Sequence, residues 1–169
     1  MGDASFPHHA ESQGRIEAAP KRVFEHLDDH RRMSAHMTRR TWMMAGSRMD
    51  LRLDERMGRA VGSHIRLEGR VLGVRLEVEE VVVEREPPRR KVWATVRQPR
   101  LVVIGPHRMG FELQPLEDQP RPRTQLRVFL DYALPAGALA LVLGPRLGHA
   151  YARWCTRRMV ADAVRAFAG

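Results

Sequence analysis

Ile16-Glu17-Ala18-Ala19-Pro20-Lys21-Arg22-Val23-Phe24-Glu25-His26-Leu27-Asp28-Asp29 is the stretch on which the reading of the fold turns. Before Pro20 the chain reads as a short strand, around Gly14 to Ala19. Pro20 stands where a first helical turn begins, since a proline there loses no hydrogen bond. Val23, Phe24 and Leu27 then form one apolar side at helical spacing. Asp28 and Asp29 close this helix, and either is suited to cap a second short helix running through His36. A strand followed at once by two small helices is the opening of the domain. Residues 1–12, before it, read as a flexible tail.

Outward from this opening, the middle of the chain reads as strands. Leu51 and Leu53 alternate with Arg52 and Asp54, Ile65 and Leu67 with Arg66 and Glu68, and Val74, Leu76 and Val78 with Arg75, Glu77 and Glu79. Period two with one apolar and one charged face marks half-buried strands. The alternation slips at Glu79-Glu80-Val81, which predicts a bulge there. Pro87-Pro88 closes that strand. Val92, Ala94 and Val96 open the next, with Trp93 and Thr95 on its other face. Phe111 and Leu113 belong to a further strand, Pro115 to Arg123 form a hairpin connection, and Leu126, Val128 and Leu130 form the last strand. From Pro145 to Phe167, Leu147, Tyr151, Trp154, Cys155, Met159, Ala163 and Ala166 recur at three- and four-residue spacing, which predicts one long helix. Strands with one apolar face need a cover, and this helix is the only element large enough to supply it. The expected fold class is α+β: about seven antiparallel strands curved around a long C-terminal helix, in a single domain over residues 13–169, with space between sheet and helix.

Several stretches, in this order, resemble the SRPBCC superfamily of helix-grip proteins, which groups polyketide cyclase/dehydrase-like proteins, START domains and pollen-allergen-like proteins. They are Ile16 to Asp29, Val61-Gly62-Ser63, Val81 to Pro88 with Val92-Trp93, Leu134-Pro135-Ala136-Gly137, and Tyr151-Ala152-Arg153-Trp154 through Met159-Val160-Ala161-Asp162. The likeness spans roughly residues 14–167. It implies an internal cavity for a lipid, sterol, polyketide or other apolar molecule, and no particular reaction.

Composition narrows the rest. The 169 residues are 43% hydrophobic and 29% charged, an ordinary globular balance. One cysteine, Cys155, excludes an internal disulfide and a multi-cysteine metal site. The net charge of +9 rests almost wholly on arginine, Lys21 and Lys91 being the only lysines. Such charge suits nucleic acid, an anionic membrane or acidic partners. The arginines are scattered along the chain, so nucleic acid is not the expected partner, whereas transient contact with an anionic membrane stays open. Met1 to Gln13 lacks an apolar core, and Ala133 to Leu143 is too short to span a bilayer, so a cytoplasmic location is expected. No phosphate-cradling loop follows Gly58 to Gly62, and no cofactor is expected.

Met33, Met37, Trp42, Met43 and Met44 form one candidate pocket wall, and Trp93, Phe111, Tyr151 and Cys155 another. Methionine is flexible and polarizable, which suits varied apolar ligands, although every one of these residues is equally suited to plain packing. Arg158 and Asp162, four apart on the helix, pair as ligand-orienting groups or as a surface ion pair. His64 is the candidate general base. His26 and His30 have helical ligand spacing, but the two aspartates break the helix between them, and no metal site is expected. Cys155, among apolar residues, reads as a buried thiol. A ligand carrier, a cyclase- or dehydratase-like enzyme and a peripheral membrane lipid-delivery protein are the competing functions.

Overall fold

The computed structural model describes residues 6–35, 48–71, 73–116, 120–136 and 138–168, with the backbone alone for 138–144. Strand β1 (His8–Ile16) is followed by helices α1 (Pro20–Leu27) and α2 (His30–Met33). Six strands follow: β2 (Met49–Leu53), β3 (His64–Val71), β4 (Val74–Glu86), β5 (Arg90–Thr95), β6 (His107–Leu116) and β7 (Arg123–Tyr132). Helix α3 (Ala138–Ala166) ends the chain. All seven strands form one antiparallel sheet in the order β1-β7-β6-β5-β4-β3-β2. Each strand from β2 to β7 pairs with its sequence neighbours, and β1 closes on β7 from Ile16 opposite Thr124 to His8 opposite Tyr132.

The opening stretch behaves largely as its residues dictate. Pro20 is in the first turn of α1, and Val23, Phe24 and Leu27 are buried. The two aspartates divide the work. Asp29 caps α2, accepting a 3.1 Å bond from the Arg31 amide. Asp28 turns inward under the sheet. The first strand starts at His8 instead of Gly14, so residues 8–12, expected in the tail, are paired with β7.

Helix α3 starts at Ala138, seven residues before the expected Pro145, and takes in part of the apolar Ala133–Leu143 stretch. Pro145 lies inside it. At 1.5 Å per residue it is roughly 43 Å long. It packs over β1, where Gly14 lets it come close: a Cβ on Gly14 would lie 2.6 Å from Val160 Cγ1. Ser12 and Thr156, the latter fully buried, share a hydroxyl bond of 3.0 Å across this contact. Gly14→Ala is expected to destabilise the fold by about 1–3 kcal/mol, because a β-branched valine cannot turn out of the way and the helix must shift. Urea unfolding against the parent measures this.

The expected bulge at 79–81 is displaced. In β4 the residues Leu76, Val78, Glu80 and Val82 are buried in unbroken alternation, and the register shifts between Val82 and Glu84. What looked like a phase slip is a glutamate occupying an inward position.

On the outer face, charges form a ladder across the strands. Glu11 pairs with Arg127, Arg127 with Glu112, Glu112 with Arg90, and Arg90 with Glu84. The Arg90 and Arg127 guanidinium groups each lie 5.5 Å from the ring centroid of Phe129. Among the described residues, no helix is long and apolar enough to cross a membrane.

Candidate functional site

Inward residues from β3 to β7 meet α2 and α3 around one enclosed space. Its volume is about 30 Å3, enough for roughly one or two water molecules. The expectation of space between sheet and helix holds, but the described residues nearly fill it. Most of the wall is apolar, with Leu67, Val78, Trp93, Leu130, Met33, Met109 and Met159 among its residues. Leu101 and Ile104, from the loop between β5 and β6, also line it.

Polar side chains interrupt this wall: Glu80, His107, His30 and Ser34, besides Tyr151 and Cys155. Glu80 and His107 are both buried, and His107 Nε2 lies 2.8 Å from Glu80 Oε1. His107 Nδ1 lies 3.0 Å from the Gly105 carbonyl, which only accepts, so Nδ1 carries a proton. Proton exchange is therefore confined to Nε2 and Glu80. Burial pulls the imidazole pKa down, but the Glu80 hydrogen bond and charge with the Gly105 carbonyl outweigh it, and the net shift is upward. The loop behind the histidine is tightly held. Gly105 N–H donates to Ala133, and Ala133 N–H to Pro106. Thr95 Oγ1 accepts from the His107 amide at 3.1 Å and donates to the His107 carbonyl at 3.3 Å.

Tyr151 and Cys155, one helical turn apart on α3, face the same space. Burial, followed by the charge of Glu80, pushes the Cys155 thiol up to about 12. Burial likewise raises the Tyr151 phenol, with Cys155 and Glu80 adding to it. Both groups stay protonated at neutral pH, so Cys155 is no nucleophile, and Glu80 and His107 are the hydrogen-bonded acid–base pair facing the space.

A second buried polar cluster lies outside the cavity. The Lys91 ammonium, on a side chain with no exposed surface, donates to the Asp28 carbonyl and to Asp28 Oδ1, both at 3.0 Å. Arg85 holds the same carboxylate with two bonds, at 3.2 and 2.8 Å. Burial would raise the Asp28 pKa, but the two cations prevail and lower it. This cluster fastens the end of α1 to β4 and β5.

Of the residues expected to line a pocket, Met33, Trp93, Tyr151 and Cys155 do so. Phe111 does not: it is wholly buried in the core, its ring 5.6 Å from that of Phe24 in an edge-on contact. Met37, Trp42, Met43, Met44 and His36 lie outside the described residues. The three polar candidates do not face the cavity. His64 is half-exposed on β3, 3.1 Å from Glu79 on the outer face. Arg158 and Asp162 do pair, at 3.2 Å, but on the outer side of α3, where Asp162 also holds Arg165. Their spacing placed them together correctly, yet the helix turns that side away from the sheet. His26 and His30 sit on separate helices. The His26 ring packs on Phe167 and accepts from Arg32, whereas His30 is buried edge-on to Trp93. Glu80 and His107 were not singled out from the sequence. The available signal was a carboxylate in register with Leu76 and Val78, and a histidine in register with Met109 and Phe111.

No protein-family model matches this chain, and no curated protein matches it in sequence. Solved structures do match in shape. A protein from Chromobacterium violaceum, CV1439, superposes with a TM-score of 0.63 at 14% identity, covering 96% of this chain and 99% of its own. Truncated norcoclaurine synthase from Thalictrum flavum gives 0.60 at 10% identity, over 93% and 90% of the two chains. The Zhui aromatase/cyclase from Streptomyces sp. R1128 gives 0.54 at 17% identity, over 94% and 87%. The chain has the helix-grip fold that the resemblance over residues 14–167 implied.

Proposed function

We propose, on the premise of this helix-grip fold, that the protein holds a small, largely apolar molecule between sheet and α3, with Glu80 and His107 as its polar anchor. The observation that carries this reading is a mostly apolar cavity whose wall holds a hydrogen-bonded, buried carboxylate–imidazole pair. Buried ionisable pairs are costly, and a pair facing a mostly apolar space has a ligand's polar atom as its natural further partner. The space must widen to admit a ligand. Met33, Met109 and Met159 line it, and unbranched thioether side chains change rotamer readily. The residues that pack worst as a rigid wall are thus those that yield best.

The test is native mass spectrometry of the full chain, followed by solvent extraction of what it carries. An apolar compound leaving the chain in one-to-one ratio, and returning to the stripped protein, is the expected result. Val78→Phe, which fills the cavity from β4, is expected to lower uptake at least tenfold in a chain whose circular dichroism is unchanged. A stripped chain that takes up no apolar compound, with Val78→Phe behaving like the parent, sinks the reading.

A second reading, an enzyme with cyclase- or dehydratase-like chemistry, is favoured by the same pair. With Nδ1 tied to Gly105, Glu80 and His107 share one mobile proton. Such a pair is equipped to take a proton from carbon beside a ketone and return it to oxygen.

A further inference from the structure

The cavity wall formed by α3 has an outer side, and its chemistry is unlike that of the sheet. From Pro145 to Ala168 the helix region carries five arginines and one aspartate. Arg146, Arg153 and Arg157 are exposed, and among the described residues none of them makes an ion pair. They rise along one side of the helix with His149 between the first two, around a groove floored by Ala150 and Trp154. From Arg146 to Arg157 the row is about 16 Å long at 1.5 Å per residue. The outer sheet differs: Arg90 and Arg127 there are locked between carboxylates.

The basic row ends beside exposed aliphatic side chains. Gly148 is pressed onto the loop between β5 and β6, and a Cβ there would lie 2.8 Å from the Val103 carbonyl. Leu147 and Val102 each stand one residue from that contact, at 49% and 55% exposure. Leu101 and Ile104, from the same loop, line the cavity. Before Arg146 the helix sequence Ala138-Leu139-Ala140-Leu141-Val142-Leu143 carries no charge. Arginines beside exposed aliphatic residues, on an element whose sequence begins uncharged and apolar, suit the boundary between lipid headgroups and acyl chains. The aromatic residue on this side, Trp154, leans on Tyr151 with ring centroids 5.8 Å apart, so its ring is engaged in the protein instead of offered for base stacking.

We infer that the outer side of α3, together with Val102, docks onto a bilayer surface carrying anionic phospholipid. Docking there sets the loop that carries Val102, and whose Leu101 and Ile104 line the cavity, next to the membrane. The docking claim is independent of the proposed ligand binding: vesicle binding needs no occupied cavity, so either reading can fail without the other.

The test is co-sedimentation of the full chain with vesicles of phosphatidylcholine alone and of phosphatidylcholine mixed with phosphatidylserine. Binding to the mixed vesicles only, weakening as salt rises, is expected. Arg153→Gln with Arg157→Gln lowers the affinity roughly 30-fold, at about fivefold per charge removed near an anionic surface. Arg153→Lys with Arg157→Lys, which keeps the charge, retains binding, and separates charge loss from any change of fold. The inference is overturned if the parent ignores the mixed vesicles at low salt, or if the glutamine pair binds them like the parent. It is also overturned if vesicles are ignored while duplex DNA is retarded in a gel and the glutamine pair abolishes that, which assigns the row to nucleic acid.

Discussion

Asp28→Ala is expected to cost about 3–5 kcal/mol of unfolding free energy at neutral pH, the range for removing one partner of a buried ion pair. The carboxylate serves two cations, but they do not suffer equally. Arg85 is partly exposed and can turn to water, whereas the Lys91 side chain has no exposed surface. In the variant, the ammonium keeps only the residue-28 backbone carbonyl. Burial already holds the Lys91 pKa below its ordinary value, against the upward pull of Asp28, and losing that pull lowers it further. Between the depressed folded value and the ordinary value of about 10.4, the unfolded chain binds more protons than the folded one, so stability rises with pH. The deficit is therefore largest near neutrality and narrows as pH climbs toward that value. Asp28 itself contributes above the ordinary carboxylate value of about 3.9, and that contribution is lost as pH falls through its lowered folded value. Adding Lys91→Met to Asp28→Ala should recover most of the loss, since an apolar chain of similar length leaves no buried charge. Urea unfolding of the two single variants and the double variant measures the coupling. Independent, additive effects would show that the cluster is not the unit described.

The fold was legible because its signals are periodic and local. Pro20, the Val23-Phe24-Leu27 side and the aspartates at the helix ends specify α1 and α2 with hydrogen-bonding logic alone. The alternation of Ile65 with Arg66, or Leu126 with Arg127, specifies strands and which side they bury. The beginning of α3 was not legible, because Pro145 is a helix-start residue when read in isolation and is in fact inside a longer helix. The site was harder for a related reason. Amphipathic patterning finds inward positions by assuming that they are apolar, so a carboxylate there is read as an interruption. On that ground Glu80 reads as a bulge. Arg158, Asp162 and His64 stood out because polar residues are noticed first, and these are the ones the fold turns outward. Which of Asp28 and Asp29 caps α2 and which pairs with Lys91 depends on β5, sixty residues on, and no local reading reaches it.

Glu80→Gln is expected to reverse the way pH acts on His107, by exchanging which force dominates it. In the parent, the Glu80 hydrogen bond and charge outweigh burial and raise the imidazole pKa. A histidine with a raised folded value contributes stability that is fully present below its ordinary value of about 6.5, and loses it as pH rises through the folded value. Glutamine keeps the hydrogen bond but removes the charge, so burial prevails and the folded value falls below the ordinary one. The unfolded chain then binds the extra proton, and stability rises with pH through that window. The difference between parent and variant is thus expected to be about 2–4 kcal/mol at mildly acid pH, where a charged imidazole has lost its carboxylate. It shrinks at alkaline pH, where the neutral ring accepts from the glutamine amide. Urea unfolding of both proteins across this range is the measurement, and equal pH slopes would show that the two side chains do not share a proton. The same variant separates the two functional readings. A compound that the protein both carries and converts should bind Glu80→Gln nearly as well while reacting roughly 10²–10⁴ times more slowly, the usual contribution of a positioned acid–base group. An unchanged rate removes the pair from the chemistry, and weakened binding with that unchanged rate leaves it as an anchor.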